Sequence, residues 1–389
     1  MKKIPLLLLF LGHVWVDASQ AILPVALVKL KALFSLSYFQ AGFIMAVLNL
    51  TSSVIQPAFG YISDRVSTGW FVPAGILWTA LAMGLLGWSI NYPVAVLLVG
   101  LAGLGTAAFH PRAMMDVYTV SGSRLGFGAA LFTTGGNVGF ALGPVVGSFL
   151  VLGFGLHATL GLLAPAVLLC STIFFYRREF LSPEPAVERE SSENFNRATG
   201  NIPWGSLVAL CLIVTLRSWV YISFITYLPM FFQTQGIQLK TGSMMLTVFL
   251  IGGAVAGLYG GHLSDKVGRK GVIAVSMLIY PVLASLMIKS NGGWIWLLAG
   301  ASGAALLASF AVTIVLAQEL MPQYLGLASG LILGLGFGTG GLGTALSGFL
   351  ADRLGLYQVM WILALSPVLG AALAAFIRTG EVKNRKYNF

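Results

Sequence analysis

LGFGAALFTTGGNVGFALGPVVGSFL occupies residues 125–150, and LGLASGLILGLGFGTGGLGTALSGFL occupies residues 325–350. At an offset of 200, Leu125 falls on Leu325, Gly126 on Gly326, Leu131 on Leu331, Gly136 on Gly336, Gly143 on Gly343 and Phe149 on Phe349. Working outward, GYISDR at 60–65 recurs as GHLSDK at 261–266, one residue out of step. Glycine-rich helices can match by chance. Ordered matches at two places within one half-chain offset instead indicate a duplicated chain.

The composition says what kind of solvent the duplicated halves meet. Apolar residues make up 57% of the 389 residues and charged residues 9%, and the mean hydropathy is +0.89. A soluble chain of this size needs far more charge to cover its surface. A membrane span takes about 20 apolar residues. Spans are expected near 5–28, 38–62, 70–90, 92–118, 126–150, 156–176, 204–232, 241–264, 270–288, 294–318, 325–350 and 356–377. The segment 177–203, RREFLSPEPAVERESSENFNRATGNIP, interrupts this rhythm. It is too polar to bury a core of its own and reads as a linker. The expectation is an all-α membrane protein of twelve transmembrane helices in two pseudo-symmetric six-helix bundles, 1–176 and 204–389, joined by 177–203. Duplicated bundles suit a transporter, because a site between them is exposed by rocking one against the other.

The net charge of +10 is a matter of topology rather than of nucleic-acid binding. With the N-terminus inside, sixteen of the 22 Lys and Arg residues fall in inside segments and five outside, with Arg217 within a span. That bias places both termini in the cytoplasm. The opening MKKIPLLLLFLGHVW has the charged and apolar parts of a signal peptide. The presence of His13 and Asp17, and an apolar run continuing past Pro24, favour a retained first helix.

GGHLSDKVGRK, residues 260–270, resembles the cytoplasmic loop signature of the major facilitator superfamily, and residues 60–65 carry its first-half copy. The resemblance implies a latch, made here by Asp64, Arg65, Asp265, Lys266 and Arg269, that breaks as the protein alternates between states. An ordinary cytoplasmic loop is the other reading. GNVGFALGPVVG, residues 136–147, resembles the fifth-helix motif of the drug-antiporter branch. Pro144 interrupts the hydrogen-bond ladder there, and Gly139, Gly143 and Gly147 form a smooth face for a neighbouring helix.

A narrower resemblance runs through GHVWVDASQAILP, FSLSYFQAG, TSSVIQPAFGYISDR, FHPRAMM, YLPMFF, VLAQELMP and residues 325–352. These segments, in this order, resemble the fosmidomycin-resistance branch, which implies a proton-driven efflux pump with at least one relative moving a small phosphonate antibiotic. Two departures stand out: FHP is followed by Arg112 where an acid is expected, and the fourth-helix arginine of many drug antiporters, expected near Val99, is absent.

Ionisable groups within apolar spans are costly and point to function. His13, Asp17, Gln20 and Pro24 form one helical stripe on the first span that should face a central cavity, with His13 and Gln20 placed there to bind substrate. Asp17 is either a proton carrier or a structural carboxylate locked to a neighbour. Arg217 corresponds to Asp17 at the half-chain offset. It suits an anionic substrate group, with Tyr221 one turn along, or else a fixed salt bridge to Asp17 or Glu319. His110, before Pro111, is a proton relay or a histidine bonded to nearby carbonyls. Arg112 and Asp116 are spaced to pair. Asn49, Gln56 and Asn137 add polar faces for substrate, and Glu319 is either a coupling acid or a solvated helix end.

Cys170 and Cys211 lie in apolar runs, so neither a disulfide nor a metal site is expected. The four histidines show no metal-ligand spacing, and a GxxxxGK[ST] nucleotide loop is missing, which argues against an enzyme or an ATP-driven pump. The expected protein is a cofactor-free, proton-coupled exporter of a small, anionic or amphipathic compound in a bacterial inner membrane, monomeric by family resemblance. A uniporter, an importer and a non-transporting receptor on the same scaffold are the alternatives.

Overall fold

The computed structural model describes residues 1–65, 69–176 and 202–377, apart from the side chains of residues 64, 325 and 326. The linker expected at 177–203 therefore lies almost wholly outside the described residues. Every regular element among the described residues is helical. Among the described residues, twelve helices are long and apolar enough to cross a membrane. Numbered in chain order, the spans are Lys3–Leu33, Tyr38–Ser63, Phe71–Trp88, Tyr92–Ser121, Leu125–Gly153, Leu156–Phe175, Trp204–Thr234, Leu239–Val267, Arg269–Lys289, Trp294–Leu320, Leu327–Leu354 and Leu356–Ala374.

Span 1 runs further than the expected 5–28. A helical segment ends at Ala21 and another starts at Leu23, with Pro24 in its first turn. A proline in a first turn forfeits a backbone donor that has no partner in any case, so the chain resumes as helix after Ile22. It ends at Phe34, where Ser35 turns the chain with φ +51°. Span 2 is helical to Asn49, passes through a π-helical turn at Leu50–Val54 and resumes at Gln56. Pro111 and Pro144 lie inside spans 4 and 5 without ending them.

Packing divides the chain into two compact units. The first comprises the described residues of Met1–Pro185 with Ile225–Thr247 and Thr344–Arg353. The second comprises those of Ala186–Phe224 with Val248–Gly343 and Leu354–Phe389.

In the first unit, span 1 lies along the glycine face of span 5. A Cβ at Gly139 would stand 3.0 Å from Asp17 Cβ, and one at Gly147 3.2 Å from Ile22 Cβ. The backbones can come this close only because side chains are missing. Residues 37–39 and Asp352 also meet in this unit. Asp352 accepts from the backbone N–H groups of Tyr38 at 2.7 Å and Phe39 at 2.9 Å. Nearby, the Tyr227 hydroxyl lies within hydrogen-bond distance of the Tyr38 carbonyl at 2.9 Å and the Thr344 carbonyl at 3.0 Å.

The second unit has its own core, in which Ile213 and Val214 of span 7 meet Ile273 and Met277 of span 9 and Leu316 of span 10. Lys270 closes its last helix by donating to the carbonyls of Ala375 and Ile377, at 2.9 and 3.1 Å. A basic side chain on terminal carbonyls satisfies orphan acceptors at the negative end of the helix dipole.

Candidate functional site

The polar stripe of span 1 is turned toward spans 4 and 5. His13, Asp17 and Gln20 are all buried, Asp17 to 3% exposure. Helical spacing puts His13 one turn before Asp17, and His13 Nε2 lies 3.2 Å from Asp17 Oδ2. Span 4 supplies His110, whose Nε2 is 3.4 Å from the other carboxylate oxygen and 3.1 Å from His13 Nε2. Gln20 reaches Asp17 Oδ1 at 3.5 Å. Residues that are far apart in sequence thus make one His–Asp–His cluster, in which His13 and Asp17 are buried and His110 is part-buried, its side chain 22% exposed. Donor atoms of the three lie within 4.8 Å of one another.

The orientation of both imidazoles is set from behind. His13 Nδ1 donates to the Phe132 carbonyl at 2.7 Å, and His110 Nδ1 to the Thr106 carbonyl at 2.9 Å. A carbonyl oxygen only accepts, so each Nδ1 carries a hydrogen and each Nε2 faces the cluster. The His13 ring also packs on Phe132, with centroids 4.0 Å apart. Span 5 closes the cluster at Gly136, where a Cβ would stand 2.6 Å from His13 Nε2 and 2.8 Å from Asp17 Oδ2. Only glycine leaves room there.

Arg217 sits in the second unit at 1% exposure. Its Nη1 donates to Thr313 Oγ1 at 3.1 Å, and its guanidinium lies 5.0 Å from the centre of the Phe310 ring. Among the described residues of the second unit no carboxylate comes within ion-pair distance of it, and Glu319, one of the two partners considered from sequence, pairs with Arg269 instead. Arg217 and Tyr221 line one recess with Phe310, Leu333, Gly336 and Phe337. A buried cation of this kind calls for an anion.

The remaining candidates separate. Glu319 pairs with Arg269, which bonds it through Nε at 3.1 Å and also reaches Asp265 and Ser264 through Nη1. Lys266 is exposed and stands apart from that network. Arg112 and Asp116 pair at 2.9 Å as their spacing suggests. Arg65 lies over the Tyr61 ring at 4.1 Å, while the side chain of Asp64 is outside the described residues. Asn49 and Gln56 bond back to the carbonyls of Met45 and Ser52, at 2.9 and 2.7 Å. Asn137 is exposed, Gly143 is buried against Ala21 of span 1, and Pro144 is buried.

Sequence reasoning gave no role to Asp352, Tyr227, Thr313 or Phe310. Asp352 did carry a signal, being an acid at the end of a glycine-rich span. The other three are ordinary apolar-span residues whose partners come from elsewhere in the chain.

Twelve apolar helices in a duplicated chain, with charged groups buried within them, define a multi-pass membrane transporter. The sequence model of the Major Facilitator Superfamily matches residues 9–245 and 210–388, and the chain belongs to that family. It is 30% identical to the uncharacterised MFS-type transporter YfnC of Bacillus subtilis (strain 168), over 98% of this chain and 94% of that one. It is 29% identical to the fosmidomycin resistance protein of Escherichia coli (strain K12), over 92% of this chain and 89% of that one. Among solved structures, a bacterial homologue of the human lysosomal transporter Spinster superposes with a TM-score of 0.83. At 16% identity, over 100% of this chain and 99% of that one, that likeness concerns the fold.

Proposed function

We propose that the protein is a proton-coupled exporter that moves a small anionic or amphipathic compound out of the cell in exchange for protons. The observation that carries this reading is the cluster of buried Asp17 and His13 with part-buried His110. A carboxylate in an apolar interior is stabilised only with a proton or a cation beside it. Imidazoles change charge within the physiological range, so the cluster can gain and lose a proton as it meets each side of the membrane. A change of that charge biases an equilibrium between two openings, because each opening solvates or buries the charge differently.

Arg217 and Tyr221 are the substrate-binding pair in this reading. The guanidinium offers a planar set of donors to a carboxylate, phosphate or phosphonate, and the aromatic lining suits an apolar body. The resistance named for the Escherichia coli relative supports export and a compound of the fosmidomycin kind. Asp64, Arg65, Arg112, Asp116, Asp265, Arg269 and Glu319 would form latches that open and close between states. The asymmetry of Lys and Arg supports an inner membrane location with both termini cytoplasmic. The protein would work as a monomer, without cofactor.

The test is flux in proteoliposomes under an imposed pH gradient, screening phosphonates and other small anions beside lipophilic drugs. Gradient-driven accumulation that disappears in Asp17→Asn supports the reading. Flux that ignores the gradient leaves a facilitator, and saturable binding without flux leaves a receptor.

A further inference from the structure

The proton-coupled reading leaves open which atoms hold the proton, and the inference that follows rests on that reading. We propose that the protons ride on Nε2 of His13 and His110, and that Asp17 stays a carboxylate throughout. One proton is resident between the two imidazoles, and a second is the one exchanged.

The hydrogen-bond inventory leads there. Both Nδ1 atoms are committed as donors, to Phe132 O at 2.7 Å and Thr106 O at 2.9 Å. Two neutral imidazoles would then turn two Nε2 lone pairs on each other at 3.1 Å, with a carboxylate 3.2 and 3.4 Å away. Such a set has three acceptors and no donor among its members. Among the described residues, the one further donor that approaches is the Gln20 amide, at 3.5 Å from Asp17 Oδ1. Acceptors that face one another unsatisfied are costly where they are buried, as those of His13 and Asp17 are, and His110 is held against them at 3.1 and 3.4 Å.

One proton on either Nε2 removes the conflict. The protonated ring donates to its neighbour or to the carboxylate, and the cluster becomes neutral overall. A second proton gives each ring its own donor to its own oxygen, His13 to Oδ2 and His110 to Oδ1, which matches the way the two rings straddle the carboxylate. That state carries one positive charge. Uptake forms one N–H bond and breaks one O–H bond of hydronium, releasing water. Release reverses the step. Protonating Asp17 instead would use one of the two oxygens the rings need as acceptors.

Span 2 packs on span 4, a Cβ at Gly60 standing 3.7 Å from Pro111 Cβ, and its helix runs on through Tyr61 and Asp64 to Arg65, which lies over the Tyr61 ring. Spans 3 and 5 carry no ionisable side chain, and span 6 has only His157 at its start and Cys170. On span 4 the next charged residue, Arg112, is paired with Asp116. On span 1 itself, the other charged groups are Lys3, Lys29 and Lys31 near its ends.

The experiment follows the full-length protein in lipid nanodiscs through a pH step, by infrared difference spectroscopy and by nitrogen-15 NMR of labelled histidine. Wild type, Asp17→Asn, His13→Gln and His110→Gln are compared. The expected result is one proton taken up in imidazole bands, with no carboxylic acid carbonyl band. One imidazolium should also be present above the pH of that uptake. His13→Gln and His110→Gln should each abolish the uptake, because the surviving ring holds only the resident proton. A carboxylic acid band lost in Asp17→Asn would overturn the proposal. So would two neutral rings in the wild type, or a stoichiometric metal found by elemental analysis. The wild-type spectra decide even if a variant fails to fold. Gradient-driven flux is measured on the same preparation. If flux is absent while the spectra are as expected, the exporter reading fails and the placement of the protons stands.

Discussion

The carboxylate of Asp352 holds the start of span 2, taking the backbone N–H groups of Tyr38 on one oxygen at 2.7 Å and Phe39 on the other at 2.9 Å. The first N–H groups of a helix have no partner within it, and a negative charge there also meets the positive end of the helix dipole. Ser37 and Gln40 complete the end as a capping box. Losing a cap of this kind costs about 1 kcal/mol, roughly fivefold in the population of the state that holds it. Asp352→Ala should lower that population, read as a broadened distance distribution between spin labels at Leu33 and Arg353 in a background lacking Cys170 and Cys211. Asp352→Asn, which keeps one acceptor oxygen, should fall between the two.

Gly136 and Gly336 correspond in the sequence repeat but not in what they touch. A Cβ at Gly136 enters the His–Asp–His cluster, whereas one at Gly336 first meets Ser218 Oγ at 3.3 Å. Forcing a methyl group into a packed site costs about 1–3 kcal/mol. Gly136→Ala should therefore lower thermal stability and abolish gradient-driven flux, and Gly336→Ala should cost much less of both. Equal losses in the two variants would remove the special role of the span 5 approach.

For Arg217, the expected loss is in binding. Among the described residues of its unit no carboxylate within ion-pair distance is left stranded when the guanidinium goes, so Arg217→Gln should fold. A hydrogen bond to a charged group is worth about 1.5–3 kcal/mol. The variant should weaken binding of an anionic substrate by about tenfold to a hundredfold, measured by calorimetry in detergent, and leave uncharged competitors unaffected. Thr313→Val, which removes the hydroxyl that orients Nη1, should give a smaller loss of the same kind.

At the Asp265–Arg269–Glu319 network the effects should be modest, because Asp265 is 59% exposed and Arg269 and Glu319 are 20% exposed at the side chain. Partly exposed pairs contribute about 0.2–1 kcal/mol. Glu319→Gln should shift the conformational equilibrium slightly and raise the rate of uncoupled leak. Lys266→Ala, at an exposed position outside the network, should match wild type in both.

The helices were readable because lipid imposes a simple rule: each span must be long, apolar and internally hydrogen-bonded, so its length and composition declare it. The end of span 1 was less readable. Pro24 sits in a first helical turn only because the segment restarts at Leu23, and that restart is invisible until the helix is built. Asp17 was marked by its cost in an apolar run. Its partnership with His13 followed from helical spacing, but its partnership with His110 did not.

By itself the sequence determined the family, the twelve spans, the duplication and the short roster of ionisable groups that an apolar chain would not carry idly. Periodicity and hydropathy are local properties, and one helix suffices to express them. Only the tertiary structure decided the partners: His110 with Asp17 and His13, Glu319 with Arg269, Asp352 with the start of span 2. It also showed that Gly136, one glycine among many, stands against the cluster. Those choices depend on how close two helices come and at what register, and that distance is set jointly by side chains on both.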